Sequence, residues 1–426
     1  MAEFMAGAMV SPPNPYNVQF RKSDKAARTI LIPNISKEIN AVLCGAMRSE
    51  GFRVRTIPIG GIEQIRLGKR YTHNDICFPC QMVIGEAIDA LQKGQWNQDE
   101  VAIGMVKFKC DCRMSNYAAL LRRALDRAGF NRVPILTTDP VDTKGMHPGV
   151  AMLGAGSVVK AVWAAMMLDI LQDLKRKTLP YEVSPGQTQQ TFDEGVQHIA
   201  NALESGLGPA VRAYREAIGA MARIPFDRSA RKPRVLVTGE LLVTYHPGSN
   251  FDIENYLVGN GMEVIMPRMT DQLRKDFIAA MEEIRVYDAN ITKESFPVSA
   301  LFDFAQKTME CIAKTHPLFE SEPKPAEMYE GVRDIIPKTL SCGEGWLMAA
   351  EIAHYAKCGV KSFVVLQPFG CLPNHICGRG VTKRLKDDYL GIQILPLDLD
   401  PDTSFANIEN RLQMLIMSQN QSIVFS

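Results

Sequence analysis

Thr29-Ile-Leu-Ile-Pro33, a helical pattern running on through Arg48, and then Arg53-Val-Arg-Thr-Ile-Pro-Ile59 after Gly51 decide the fold. They read as strand, helix, strand. Outward from this unit the same alternation continues. A helix opens near Pro79, a strand spans Val101–Phe108, a helix spans Asn116 to Ala128, and a strand spans Val133–Thr138. Strands alternating with helices at this spacing predict a parallel, doubly wound sheet. From Val158 to about Ala222 the pattern changes. Ala, Leu, Met, Gln and Glu dominate and no strand appears, so this stretch reads as helical, broken near Leu179-Pro180 and Pro185-Gly186. After Arg231-Lys-Pro-Arg234 a buried-strand pattern resumes at Val235-Leu-Val-Thr238. Further strands are expected near Glu263–Met266, Ser362–Gln367 and Ile392–Leu397. The expected organisation is an arm over 1–27, an α/β domain over 28–157, a helical segment over 158–228 and a second α/β domain over 229–426. The fold class is thus α/β, with two doubly wound, Rossmann-like parallel-sheet domains and a site in the crevice between them.

The chain has 426 residues, 48 Lys+Arg and 47 Asp+Glu. That balance argues against a nucleic-acid protein, which carries a basic stripe. No run approaches the roughly 18 apolar residues of a membrane span. Neither the basic nor the apolar region of a secretory leader is present at the start, so a cytoplasmic location is expected. In a reducing compartment the ten cysteines read as metal ligands or buried thiols rather than disulfides.

Six of the ten form close pairs: Cys77-Phe-Pro-Cys80, Cys110-Asp-Cys112, and Cys371-Leu-Pro-Asn-His-Ile-Cys377. Cys110 and Cys112 follow one strand directly, Cys371 follows another by a few residues, and Cys77 and Cys80 open a helix. Ligands of open α/β sheets bind outside the carboxyl ends of the strands, so all three pairs are expected at one crevice. Helix N-termini offer free N–H groups and partial positive charge, which suit an anionic group. A structural zinc takes four ligands, and three pairs overshoot that number. Six thiolates instead suit iron–sulfur chemistry, with zinc and unligated thiols left as alternatives. Cys44, Cys311 and Cys358 sit in apolar helical patterns and read as core thiols. Cys342 precedes Gly343-Glu-Gly-Trp346 and is placed either at the crevice or in the core.

These residues carry a resemblance. Asn74-Asp-Ile-Cys77, Cys112-Arg-Met-Ser-Asn-Tyr117, Gly239-Glu-Leu-Leu-Val243 with His246-Pro247, Gly343-Glu-Gly-Trp346 and Gln367-Pro-Phe-Gly-Cys371-Leu-Pro-Asn-His375 resemble the 2-hydroxyacyl-CoA dehydratase / benzoyl-CoA reductase superfamily. The closer likeness is to its activase-related branch, from about Arg28 to Ile416. Relatives of that kind carry one cysteine at the positions of Cys77, Cys112 and Cys371, which suits a single cubane. Cys80, Cys110 and Cys377 double each position, as in the double-cubane cluster proteins. The resemblance therefore implies an eight-iron, nine-sulfide double cubane on Cys77, Cys80, Cys110, Cys112, Cys371 and Cys377. It also implies a separate ATP-hydrolysing iron–sulfur partner, a small-molecule substrate to be reduced, and a homodimer. The chain has no G-x-x-x-x-G-K-[ST] phosphate loop of its own, in keeping with an ATPase on another polypeptide.

Candidate proton donors are His246, Glu344 and His375, with His73 a weaker one. His375 lies between two candidate ligands, where it either donates protons or shapes the loop. His246 precedes the turn Pro247-Gly-Ser-Asn250, and loops of that kind line crevices. Glu344 lies in a glycine-flanked stretch before a helix. Lys109, Arg113 and Arg379 flank the cysteines and are placed either to offset thiolate charge or in solvent. The competing expectations are a single-cubane dehydratase-type subunit and, outside enzymes, a zinc-bound or cysteine-rich scaffold.

Overall fold

A computed structural model of the chain describes residues 18–94, 96–105, 107, 112–137, 154–287 and 295–424. The fold is α/β, with two four-stranded parallel sheets flanked by helices. The first holds β1 (Thr29–Ile32), β2 (Arg53–Thr56), β3 (Val101–Met105) and β4 (Ile135–Thr137) in the order β2-β1-β3-β4. The second holds β5 (Arg234–Gly239), β6 (Glu263–Ile265), β7 (Ser362–Pro368) and β8 (Gln393–Leu399) in the order β6-β5-β7-β8. Inner strands are buried on both faces, and all seven residues of β7 are buried, as parallel strands covered by helices require.

In each sheet the chain starts at an inner strand, steps to one edge and crosses back to the other side. The strand order therefore reverses between β1 and β3, and again between β5 and β7. At such a point the outgoing loops diverge and leave a crevice beyond the carboxyl ends of the strands.

The strands are shorter than the sequence reading at several ends. β2 stops at Thr56, and Pro58 beyond it has no N–H to give to a ladder. β3 is described as far as Met105, and its expected continuation at Val106 and Phe108 falls outside the described residues. The helix Ile62–Tyr71 was not foreseen. It packs on the helix Phe78–Lys93 so closely that a Cβ on Gly68 would lie 1.8 Å from the Gln81 carbonyl oxygen. Within the stretch expected as an arm, Phe20 is buried against Ile30, Phe52 and Val54.

The helical segment forms three helices, Gly154–Thr178, Gln187–Glu204 and Leu207–Ala222; both expected breaks fall between the first two, and a further break at Ser205-Gly206, where Gly206 takes φ 119°, was not expected. Its apolar residues share one continuous core with both sheets. Asp169, on the first of these helices, accepts hydrogen bonds from the backbone N–H of Met269 (3.1 Å) and of Thr270 (2.9 Å), and from the Thr270 hydroxyl (2.5 Å). It thereby caps the helix Met269–Tyr287 from outside that helix. Asp169→Ala removes the cap and strands buried donors, so a loss of about 2 kcal/mol is expected, read as a lower urea midpoint at unchanged m-value. Among the described residues no helix is long and apolar enough to cross a membrane.

Candidate functional site

The crevices of the two sheets open into one cavity of about 910 Å³. Much of its wall comes from segments just beyond strands' carboxyl ends. Ile35 follows β1, Cys112 follows β3, Glu240 follows β5 and Cys371 follows β7, and all four line the cavity. The helix Met269–Tyr287, entered after β6, closes one side through Gln272, Asp276 and Glu283. Cys77, Cys112, Cys342 and Cys371 lie on the cavity wall.

The first cysteine is set by a helix start. Cys77 is the N-cap of Phe78–Lys93 with Pro79 in the first turn, where a missing N–H costs nothing. The N–H of Phe78 is also used, donating to the Phe369 carbonyl at 3.0 Å, so the opening turn of this helix is tied to the loop that carries Cys371. Gly370 permits that approach. It sits at φ 72°, and a Cβ there would stand 3.2 Å from Cys77 Cα. The Arg113 guanidinium donates to the Gly370 carbonyl.

Each of three sulfurs on the wall has a hydrogen-bond partner. Tyr117 Oη lies 2.8 Å from Cys77 Sγ. The Met114 N–H donates to Cys112 Sγ at 3.4 Å, and Asn374 Nδ2 donates to Cys371 Sγ at 3.4 Å. Burial pushes the Cys77 and Cys371 thiols up. Such thiols are poor nucleophiles and ionise only when a cation takes the charge. The nine described cysteines are all free thiols.

The second members of the pairs stand behind the wall. Cys80, three residues into the helix, is fully buried, and burial holds its thiol well above the ordinary range. Cys377 is in a π-helical turn, Asn374–Arg379, packed against the helix Trp346–Lys357, and burial pushes its thiol up to about 11. Neither lines the cavity. Cys110 and Lys109 fall outside the described residues. Among the described residues no group of three His, Cys, Asp or Glu surrounds a position for one metal ion. Cubane thiolates bind separate irons, so cubane ligands are spread around a cavity instead of converging on a point.

Of the expected proton donors, Glu344 alone lies on the wall. Its carboxylate oxygen accepts from the Leu241 N–H at 2.7 Å, and burial raises its pKa. Glu240 caps the turn after β5 by accepting from the Val243 N–H at 3.0 Å, and burial beside Glu344 raises its pKa too. The sequence reading did not single out Glu240, although its place directly after a strand was a signal. His246 is fully buried and outside the cavity lining, with Nε2 2.9 Å from Glu86 Oε1. His375 is exposed, outside the cavity lining, and its Nδ1 receives the Gln367 amide at 2.7 Å. His73 is exposed beside Asp75. Arg379 pairs with Asp398 at 3.1 Å on the surface. Cys44 is buried as expected, whereas Cys311 and Cys358 are exposed, because their helices turn those positions outward.

The loop bearing Cys342 and Glu344 is held from the helix Met269–Tyr287. Fully buried Lys275 donates to the carbonyls of Ser341 and Gly343, and Gln272 donates to that of Gly343 at 2.6 Å. Gly343 adopts φ 56° there, a conformation that favours glycine. Deeper still, burial raises the Glu351 pKa from 4.5 to about 8. The native state keeps that proton at pH values where the unfolded chain has lost it. The stabilisation is complete below about pH 4.5 and is lost as pH rises through about 8. Glu351→Gln is therefore expected to flatten the fall of Tm across that window in a thermal scan.

The sequence matches no protein-family model and no curated protein.

Proposed function

We propose that this chain is the substrate-reducing component of a two-protein iron–sulfur system. In this reading Cys77, Cys80, Cys110, Cys112, Cys371 and Cys377 hold an eight-iron, nine-sulfide double cubane. A separate ATP-hydrolysing iron–sulfur protein supplies low-potential electrons, a small molecule in the cavity is reduced, and the chain works as a homodimer. The observation that carries the reading is the convergence of Cys77, Cys112 and Cys371 on one cavity, from three separate stretches of chain, each sulfur with its own hydrogen-bond partner. Hydrogen bonds to sulfur and restricted solvent access are the means by which proteins set cluster potential. When bound, the cluster would supply electrons singly at low potential.

The chain's own groups supply the protons. Glu240 and Glu344 face the same cavity and are held toward their neutral, proton-carrying forms by burial. A buried neutral carboxylic acid is a general acid at neutral pH. The Arg113 guanidinium, anchored on Gly370, brings positive charge to the wall where thiolates accumulate.

A second reading is favoured by one observation: Cys80 and Cys377 stand behind the wall. A single cubane on Cys77, Cys112 and Cys371 would need neither. Iron and acid-labile sulfide analysis of anaerobically purified protein tests both. About eight irons per chain supports the double cubane and about four the single one. Zinc without sulfide would replace both with the scaffold reading.

A further inference from the structure

A second, small cavity of about 20 Å³ lies beside the large one, and Glu344 lines both. Its other polar walls include Thr238, Thr244, Gln272 and Glu351. A space of this size holds one water molecule where polar partners surround it. Thr244 calls for one. Its side chain is 3% exposed and its hydroxyl has no hydrogen-bond partner, and a buried hydroxyl left unpaired costs free energy. Glu351 on the same wall is 4% exposed and accepts from the Thr238 hydroxyl at 2.7 Å. Its partner is a hydroxyl, not a cation, and the charges of Asp271 and Glu344 further disfavour its ionisation.

We propose that Glu351 is an inner proton store for Glu344, the two carboxyls exchanging a proton through a water held by the Thr244 hydroxyl in the small cavity. After Glu344 gives its proton to a substrate atom, its carboxylate takes one from the water, and the water takes the Glu351 proton. One O–H bond breaks and one forms at each transfer. No electron moves, and the negative charge passes from Glu344 to Glu351. Glu351 thus acts through Glu344 and does not touch substrate. The proposal rests on Glu344 being the acid of the site, but its test needs no bound iron, so failure of the iron–sulfur reading and failure of this one are separable.

Infrared spectra of the full chain in H₂O and D₂O, without substrate, provide the test for wild type, Glu344→Gln, Glu351→Gln and Thr244→Val. Each glutamine variant is expected to lose one protonated-carboxyl band in spectra taken across the pH range where wild type shows both. The band missing from Glu344→Gln is expected to shift in both Glu351→Gln and Thr244→Val, because each disturbs the shared water. A purely structural Glu351 would lose its own band and leave the Glu344 band in place. Thr244→Val keeps the side chain's shape and stands as the second probe should Glu351→Gln not fold. A Glu344 band unmoved in every folded variant of Glu351 and Thr244 overturns the proposal.

Discussion

Serine at Cys77, Cys112 and Cys371 together is expected to leave anaerobically purified protein without iron. Serine at Cys80, Cys110 and Cys377 together is expected to leave about four irons per chain in place of about eight. The contrast follows from where the sulfurs stand. The first three lie on the cavity wall, each with a hydrogen-bond partner, so nothing else described on that wall except Cys342 offers a thiol to a cluster. Cys80 follows Cys77 within the first helical turn, its N–H 3.1 Å from the Cys77 carbonyl, and Cys377 lies in the turn after Cys371. Cys80 is buried beside Cys77, and Cys377 is buried against the helix Trp346–Lys357. A second cubane would draw on that inner layer, and its loss would spare the outer one. Iron unchanged by the Cys80, Cys110 and Cys377 substitutions makes the single cubane the better reading. Iron retained without Cys77, Cys112 and Cys371 overturns iron–sulfur binding at this cavity. Far-ultraviolet circular dichroism of both variants separates lost ligands from lost fold, since Cys80 and Cys377 also fill core volume.

The parts of this arrangement that were legible in the sequence are the locally encoded ones. Ile30 and Val235 sit in short apolar runs between turn residues, and such runs become buried parallel strands whatever lies elsewhere in the chain. The position of Cys112 and Cys371 beyond strands was readable for the same reason, although the last residue of a strand was not, since β2 stops at Thr56 instead of Ile59. The helix Ile62–Tyr71 escaped because Glu63, Gln64, Arg66, Lys69 and Arg70 leave it little apolar face. It is held instead by backbone contact at Gly68 and Gly85 with the neighbouring helix. Cys311 and Cys358 misled because apolar neighbours do not say which way one helix position turns, and packing turned both outward. Glu240 carries no local sign of burial. It is half-buried on a cavity wall shared with the Cys342–Glu344 loop and the helix Met269–Tyr287, both distant in sequence. His246 before Pro247-Gly248 reads as an open turn, yet its partner lies 160 residues earlier, a relation that only tertiary packing creates.

That partner makes His246 the site of the largest expected stability loss. The pair joins the two α/β halves: Glu86 lies on the helix Phe78–Lys93 and His246 between two short helical turns after β5. Both side chains are fully buried. The ring orientation is set, because Nδ1 accepts from the Ser249 N–H at 3.1 Å. The proton therefore sits on Nε2 and is donated to Glu86 Oε1, which also accepts from the Gly60 N–H at 2.6 Å. Around this pair the two halves touch backbone to backbone, and a Cβ on Gly248 would lie 1.7 Å from the Gly60 carbonyl oxygen. His246→Ala leaves the Glu86 carboxyl buried without its partner, and such a loss costs about 3–5 kcal/mol. His246→Gln, whose amide can donate to Glu86, is expected to recover part of that. Glu86→Ala added to His246→Ala is expected to cost less than the two separate losses summed, since both break one joint. Urea unfolding of the four proteins measures this. If His246 were instead a proton donor to the cavity, His246→Ala would lower reductive activity at unchanged stability, and its coupling to Glu86 would vanish.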